Sequence, residues 1–376
     1  MKYAGIYIHI PFCAVKCMYC DFYSITDRED AIPQFVEAMC WEIKNCTTDV
    51  SDWEFDTIFI GGGTPSLLKA IHIDRILSCL NKSYDLSNVK EFTIEANPGE
   101  APKDRLKDLN SMGINRISIG VQSLQPQLLK FLTRIHSKEQ IFETYNNARA
   151  SGFNNINCDL IYSIPNQTLN MWEQDLSTII KMEPEHISAY ALTVEKGTDL
   201  FSMVYNNKIS MPSDRQGGEW FIKTHDILSY NGYQPYEISN FSKAGFECRH
   251  NLHYWDIDPY LAFGPSAHGF DGIHRWNNAR SLDQYIERIR TEKSPISKIE
   301  RIELFDHLNE LIGFGLRMRK GVDINMIPVD HQKEFQKKIV LVSKKYPDCF
   351  QSASDIISLT QRGMLYSDRI IPELLF

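Results

Sequence analysis

The chain has 376 residues, 43% hydrophobic and 23% charged, with 40 Lys and Arg against 48 Asp and Glu. That mix suits a globular protein with core to spare, and a net charge of −8 argues against binding nucleic acid or anionic lipid. No apolar run approaches the ~18 residues of a membrane helix, and no export leader opens the chain, so the expected location is the cytoplasm.

Six short apolar runs read as buried strands, over 5–10, 57–60, 91–96, 116–121, 155–161 and 186–192. Helical patterns fall between them, over 33–44, 71–80, 103–112, 137–150 and 169–181. Ser137 and Gln140 form a capping-box pattern at the fourth. This alternation predicts an α/β fold, a parallel sheet closed or partly closed into a TIM-like barrel. Chemistry in such sheets sits at the carboxyl ends of the strands. Beyond Gly197 the alternation fails. Residues 197–216 read as an excursion, 215–231 as a helix and 233–240 as a strand. Residues 241–280 are dense in Gly, His, Asn and aromatics, as in a functional loop. From Ile299 a charged helical stretch leads to a turn at Gly363 and an apolar end, as in a small helical or winged-helix domain. The expected division is a core barrel over 1–240, a motif region and linker over 241–298, and a C-terminal domain over 299–376.

Nine cysteines without an export signal do not suggest a disulfide framework. Cys13, Cys17 and Cys20 cluster in Pro11-Phe12-Cys13-Ala14-Val15-Lys16-Cys17-Met18-Tyr19-Cys20, directly after the first strand. Pro11 and the strand end make this a loop rather than a helix face. Three thiolates there can wrap one soft metal centre. Structural zinc would want a fourth ligand, and only His9 and Asp21 are near. A [4Fe–4S] cluster usually takes four cysteines, so three leave one iron open.

Other groups gather at strand ends. Gly61-Gly62-Gly63-Thr64 ends the second strand, where missing Cβ atoms admit a ligand; no Gly-Lys-Ser/Thr follows, which excludes a Walker loop. Glu95 ends the third and Gln122 the fourth, with Arg134 following. Asp159 lies inside the apolar fifth strand, and a carboxylate there must be paired.

The cysteine spacing, with aromatic Tyr19 before Cys20, resembles the radical S-adenosylmethionine superfamily. That resemblance implies a partial (β/α)6 barrel, a [4Fe–4S] cluster on Cys13, Cys17 and Cys20, and S-adenosylmethionine cleaved to a 5′-deoxyadenosyl radical. Gly120-Val121-Gln122-Ser123, Arg134-Ile135-His136-Ser137, Asp159-Leu160-Ile161-Tyr162 and His186-Ile187-Ser188-Ala189-Tyr190 are similar to its coproporphyrinogen III oxidase-like branch. By that likeness Tyr7, Tyr19, Gly62, Gly63, Thr64, Glu95, Gln122, Arg134, Asp159 and Thr193 line the S-adenosylmethionine site.

Within the branch, two subgroups compete: the oxygen-independent coproporphyrinogen III oxidases, and the HemW subgroup of haem chaperones. The oxidases have a fourth cysteine where Phe22 stands, and an N-terminal extension where only two residues precede Tyr3. Arg249-His250-Asn251-Leu252-His253-Tyr254-Trp255 resembles the His-Asn-x-x-Tyr-Trp motif of the haem-binding subgroup. This implies haem contact by His250, Asn251, Tyr254 and Trp255. Histidine is a usual axial ligand, the aromatics offer flat apolar surface, and Arg249 suits a propionate. Cys248, His268 and His274 are alternative ligands. The plainer reading keeps His250 and His253 as hydrogen-bonded histidines and Trp255 as core. The expected function is a haem chaperone that binds cluster, S-adenosylmethionine and haem and passes haem to an acceptor protein. The alternative is the oxidase, a radical decarboxylase of haem biosynthesis. An electron donor such as flavodoxin or ferredoxin and a homodimer fit either.

Overall fold

The computed structural model describes residues 1–376. Its first half runs β1 (Lys2–Ile10), α1 (Ile32–Lys44), β2 (Trp53–Gly62), α2 (Ala70–Ser83), β3 (Glu91–Ala96), α3 (Lys103–Ser111), β4 (Arg116–Gln122), α4 (Pro126–Phe131), α5 (Lys138–Ala150), β5 (Asn155–Tyr162), α6 (Leu169–Met182) and β6 (His186–Ala191). Strands β1 to β6 lie side by side in chain order, all parallel. This is the expected partial barrel, with the helices outside. The Ser137 capping box forms at the start of α5.

After β6 come α7 (Asp199–Tyr205), α8 (Asp214–Tyr230), β7 (Gln234–Pro235), β8 (Asn240–Ser242) and α9 (Arg249–Trp255). The excursion over 197–216 thus holds a helix. The strand expected over 233–240 shrinks to the β7–β8 hairpin, because Pro235 cannot donate to a ladder. Then follow β9 (Tyr260–Phe263), β10 (His268–Phe270), β11 (His274–Asn278), α10 (Leu282–Arg290) and β12 (Ile296–Arg301). Strand β9 runs parallel to β1 on its free edge, and β10 to β12 extend the sheet antiparallel, to twelve strands in all. Residues 241–298 are therefore sheet and helix, not loop and linker. Strands of three to five residues show too little periodicity to be read from sequence.

The chain ends in α11 (Leu304–Arg317), β13 (Val322–Asp323), α12 (Val329–Lys345), β14 (Phe350–Ala353), β15 (Ile356–Leu359), α13 (Gln361–Leu365) and α14 (Ser367–Ile370). A small sheet in the order β13-β15-β14 packs with these helices in a winged-helix-like arrangement. Gly363 lies within α13 rather than in a turn, where a Cβ would collide with the Cys349 carbonyl. No helix is long and apolar enough to cross a membrane.

Alternation within the strands positions everything else. Ile6, Ile8, Ile58, Ile60, Ile94, Ile117, Ile119, Ile156, Leu160 and Ile187 are buried in the main core, with Phe35, Ile76, Leu106, Ile141, Trp172 and Leu176 of the helices. Successive side chains point to opposite faces. The intervening residues, including Glu95, Arg116, Ser118, Asn157, Asp159, His186 and Ser188, therefore face the lumen.

Glu42 of α1 ties the barrel to the added strands. Its carboxylate accepts from the Gly264 N–H, the Asn278 amide and the Tyr285 hydroxyl. Burial pushes this carboxyl up to about 7, although those bonds favour the charged form. Between its ordinary value and about 7 the folded chain keeps a proton that the unfolded chain has lost. Stability contributed by this group therefore falls as pH rises through that window. From about pH 5 to about pH 8, the melting temperature of Glu42→Gln is expected to change with a less negative slope than wild type, by calorimetry.

Candidate cofactor-binding site in the barrel lumen

The cysteine loop leaves β1 at the carboxyl end of the strands. It is pinned by Cys13 N–H to the Ile25 carbonyl (2.9 Å) and by Cys20 N–H to the Cys17 carbonyl (3.1 Å). All three thiols are half-buried and free. Burial raises Cys13, and pushes Cys20 up to about 11, with the neighbouring cysteines adding to both. A soft metal centre would have to displace these protons. No three His, Cys, Asp or Glu side chains converge tightly enough to enclose a single ion. A four-iron cluster places its cysteines on different irons, so its ligands stand further apart.

The glycine triplet is occupied by the cysteine loop itself. Gly63 N–H donates to the Ile10 carbonyl and Thr64 N–H to the Phe12 carbonyl, both at 2.7 Å. A Cβ on Gly63 would stand 2.6 Å from the Phe12 oxygen. Gly62, at φ +114°, turns its N–H to the Glu95 carboxylate at 3.0 Å. The small residues thus dock β2 against the loop, while Gly62 still borders the lumen.

From Cys13 a chain of hydrogen bonds crosses the strand ends. Thr64 Oγ1 donates to Cys13 Sγ (3.6 Å), and Asn97 Nδ2 donates to Thr64 Oγ1 (2.9 Å). Arg134 Nη1 donates to Asn97 Oδ1 (2.9 Å). Gly120 leaves room for this cluster: a Cβ there would stand 2.9 Å from both Arg134 and Gln122. Gln122 is buried at φ +63°, and Tyr19 lies beside Arg134. Asn97 holds this set together, a residue that its place before Pro98 gave no reason to single out.

Below these groups lies a cavity of about 330 Å³. Tyr7, Gly62, Glu95 and Asp159, four of the ten residues that the resemblance assigns to S-adenosylmethionine, wall it. Burial, with Asp159 nearby, pushes Glu95 up to about 8. Asp159 accepts from Ser118 Oγ and Asn157 Nδ2, both at 2.8 Å. Arg116, Asn157, His186 and Ser188 also line it, and were missed. Polar residues at every second position of β3 to β6 were the available signal. Arg116 is fully buried and its Nε has no partner. Thr193 is exposed beyond the end of β6 and does not line this cavity.

The surprise is what floors the cavity. His250, Asn251 and Tyr254 of α9 line it together with Glu95 and Asp159. Glu91, the first residue of β3, accepts from the Arg249 and His250 N–H groups, both at 3.0 Å, and so satisfies the N-terminus of α9. His250 is buried, with Nδ1 bonded to Thr57 Oγ1 and Nε2 to the Tyr254 hydroxyl, both at 2.9 Å. Gly5 makes room for its ring. Burial, then the charges of His253 and Arg116, hold His250 well below its ordinary range. His253 lies between Asp56 (2.7 Å) and Asp258 (2.9 Å). Burial opposes its charge, but the two carboxylates prevail and push it up to about 9. Trp255 lies outside the cavity, against Phe314 of α11 and the Arg317 guanidinium. Cys248 is buried, its Sγ 3.5 Å from Glu91. Neither motif histidine has a free ring nitrogen.

Residues 7–179 match the model of the radical SAM superfamily. A heme chaperone HemW of Bacillus subtilis is 31% identical over 97% of this chain and 97% of its own length. The chain belongs to the HemW family of the radical SAM superfamily. Another relative named heme chaperone HemW, from Lactococcus lactis, is 32% identical over 96% of this chain and 91% of that one. The solved structure of coproporphyrinogen III oxidase HemN from Escherichia coli superposes with a TM-score of 0.84, covering 99% of this chain and 90% of that one at 22% identity. That likeness is one of fold. The donor set of this chain, three thiols on one loop with carboxylates and a guanidinium around a lumen, fits the superfamily's cofactors.

Removing the Asn97 side chain frees both Arg134 and Thr64. Asn97→Ala is expected to weaken S-adenosylmethionine binding roughly tenfold or more, by isothermal titration of the reconstituted protein, as loss of an orienting partner commonly does.

Proposed function

We propose that this HemW-family chain binds a [4Fe–4S] cluster on Cys13, Cys17 and Cys20, binds S-adenosylmethionine in the lumen, and carries haem to an acceptor protein. The observation that carries the reading is similarity over 97% of both chains to a protein named heme chaperone HemW. Phe22 supports it. This side chain stands 65% exposed at the mouth of the cavity, where the oxidases' fourth cysteine is expected. It offers an aromatic face to a flat apolar ligand.

The residues divide the work by position. Cys13, Cys17 and Cys20 present thiols from one loop. Arg134, fixed through Asn97, suits the carboxylate of S-adenosylmethionine, and Glu95 and Asp159 suit its ammonium or ribose hydroxyls. When bound together, cluster and S-adenosylmethionine supply one-electron chemistry. The chain's own part is to orient that ligand and keep it out of bulk water. The floor residues His250, Asn251 and Tyr254 couple the same lumen to the region joined to the C-terminal helices.

Two measurements test this. Anaerobic iron and sulfide are expected to give a broad charge-transfer band that Cys13→Ala, Cys17→Ala and Cys20→Ala each abolish; retention of the band in all three would end the cluster assignment. Glu95, protonated near neutral pH, is expected to ionise beside an ammonium group, so S-adenosylmethionine binding should release up to about one proton. Binding heats in buffers of different ionisation enthalpy read that release, and Glu95→Gln should remove it.

A further inference from the structure

One charge in the lumen has no bonded counter-charge. Arg116 is 1% exposed, and its guanidinium stays ionised at any physiological pH. Its one hydrogen bond within the fold runs from Nη1 to Thr93 Oγ1 at a long 3.5 Å, and Nε has no partner. A buried charge in this state is costly unless an anion meets it. The carboxylates near enough to feel it are Glu91, Glu95 and Asp159, and all three are engaged elsewhere. Glu91 accepts from the Arg249 and His250 N–H groups and from the Cys248 thiol. Glu95 accepts from the Gly62 N–H, and Asp159 from Ser118 and Asn157. None forms an ion pair with Arg116.

Register places Arg116 deep. It opens β4 and stands opposite Thr93 of β3, one level below the pair of Glu95 and Ser118. Gly120, which makes room for Arg134 and Asn97, lies further along the same strand. At about 3.3 Å per residue, the levels of Arg116 and Gly120 are ~13 Å apart. One guanidinium thus serves the mouth, where the cysteine loop lies, and a second serves the floor beside α9. S-adenosylmethionine carries a single carboxylate. With Arg134 suited to that group, Arg116 is left to another anion.

The surroundings suit an organic acid. Asn251 of α9 borders the same floor, and its side-chain amide bonds nothing else in the fold, which gives a second donor for a carboxylate. Phe59 stands opposite Thr93, and Tyr7 opposite Phe59, so both rings share the level of Arg116. Their centroids are 6.2 Å apart, and with Tyr254 they make an aromatic wall for an apolar body. A cavity of about 330 Å³ is at the small end of ligand sites.

We propose that Arg116 and Asn251 anchor the carboxylate of a second lumen ligand, whose apolar body lies against Tyr7 and Phe59. Its place beneath S-adenosylmethionine rests on the reading above, whereas the anchor itself does not. A free organic acid and a haem propionate carry the same group.

The probe is para-fluorobenzoate, with the neutral para-fluorobenzamide as its isostere, added to the full-length protein and followed by fluorine nuclear magnetic resonance. Wild type is expected to broaden the benzoate signal and leave the benzamide signal sharp. Arg116→Gln should weaken benzoate binding roughly tenfold or more, and Arg116→Lys less, because it keeps the charge without the fork. A parallel titration compares haem with its dimethyl ester. A preference for haem that Arg116→Gln removes supports the anchor with a propionate as its source; selective benzoate binding without that preference supports it with a free acid. If wild type prefers neither benzoate over benzamide nor haem over its ester, the proposal is overturned, even where Arg116→Gln fails to fold. A folded Arg116→Gln that keeps the wild-type preferences overturns it as well. Failure of wild type to bind S-adenosylmethionine would instead end the reading above and leave the anchor to the benzoate result.

Discussion

The lumen of the barrel is lined by polar side chains, and each must find a partner there. An unpaired buried donor or acceptor costs about 1–3 kcal/mol, so the lining has to form a connected network. Asn157 is its hub. Its amide lies within hydrogen-bond distance of Ser118, Asp159 and Ser188, and its carbonyl meets His186 Nδ1 at 2.6 Å. His186 passes the network to the Tyr236 hydroxyl. This web holds Asp159 at a fixed place in the wall. The Gly62 N–H does the same for Glu95.

The lumen is closed from below by the same rule. Helix α9 is only seven residues long and would be marginal alone. It persists because Glu91 satisfies its first N–H groups, and because His250 and His253 are bonded into β2 through Thr57 and Asp56. A helix so fixed is a structural floor. The two motifs expected to serve different ligands therefore border one cavity, and a change in either alters the shape of both.

Much of this was legible beforehand. The six strands, the helices between them and the cysteine loop follow from apolar runs, from Pro11 and from residue spacing. Glu95 and Asp159 stood out as carboxylates in apolar strands, and both wall the cavity. Other features were hidden. Arg116, Asn157 and Ser188 went unmarked inside their apolar runs, although polar residues at every second position there mark a second buried face. Asn97, before Pro98, gave no reason to be singled out. Strands β9 to β11 were too short to announce themselves, and the glycine triplet gave no sign that its nearest neighbour would be the chain's own loop.

The sequence alone determined the order of strands and helices, the three-thiol loop and its place after the first strand, because these depend on local pattern and spacing. Tertiary structure decided the rest. Which face of each strand looks inward is set by closure of the sheet. Whether a histidine nitrogen is free depends on partners nearly two hundred residues away, as with Thr57 and His250. Bonding across such distances leaves no mark on local sequence. That is why the motif histidine reads as a ligand in the sequence and as a buried, doubly bonded floor residue in the fold.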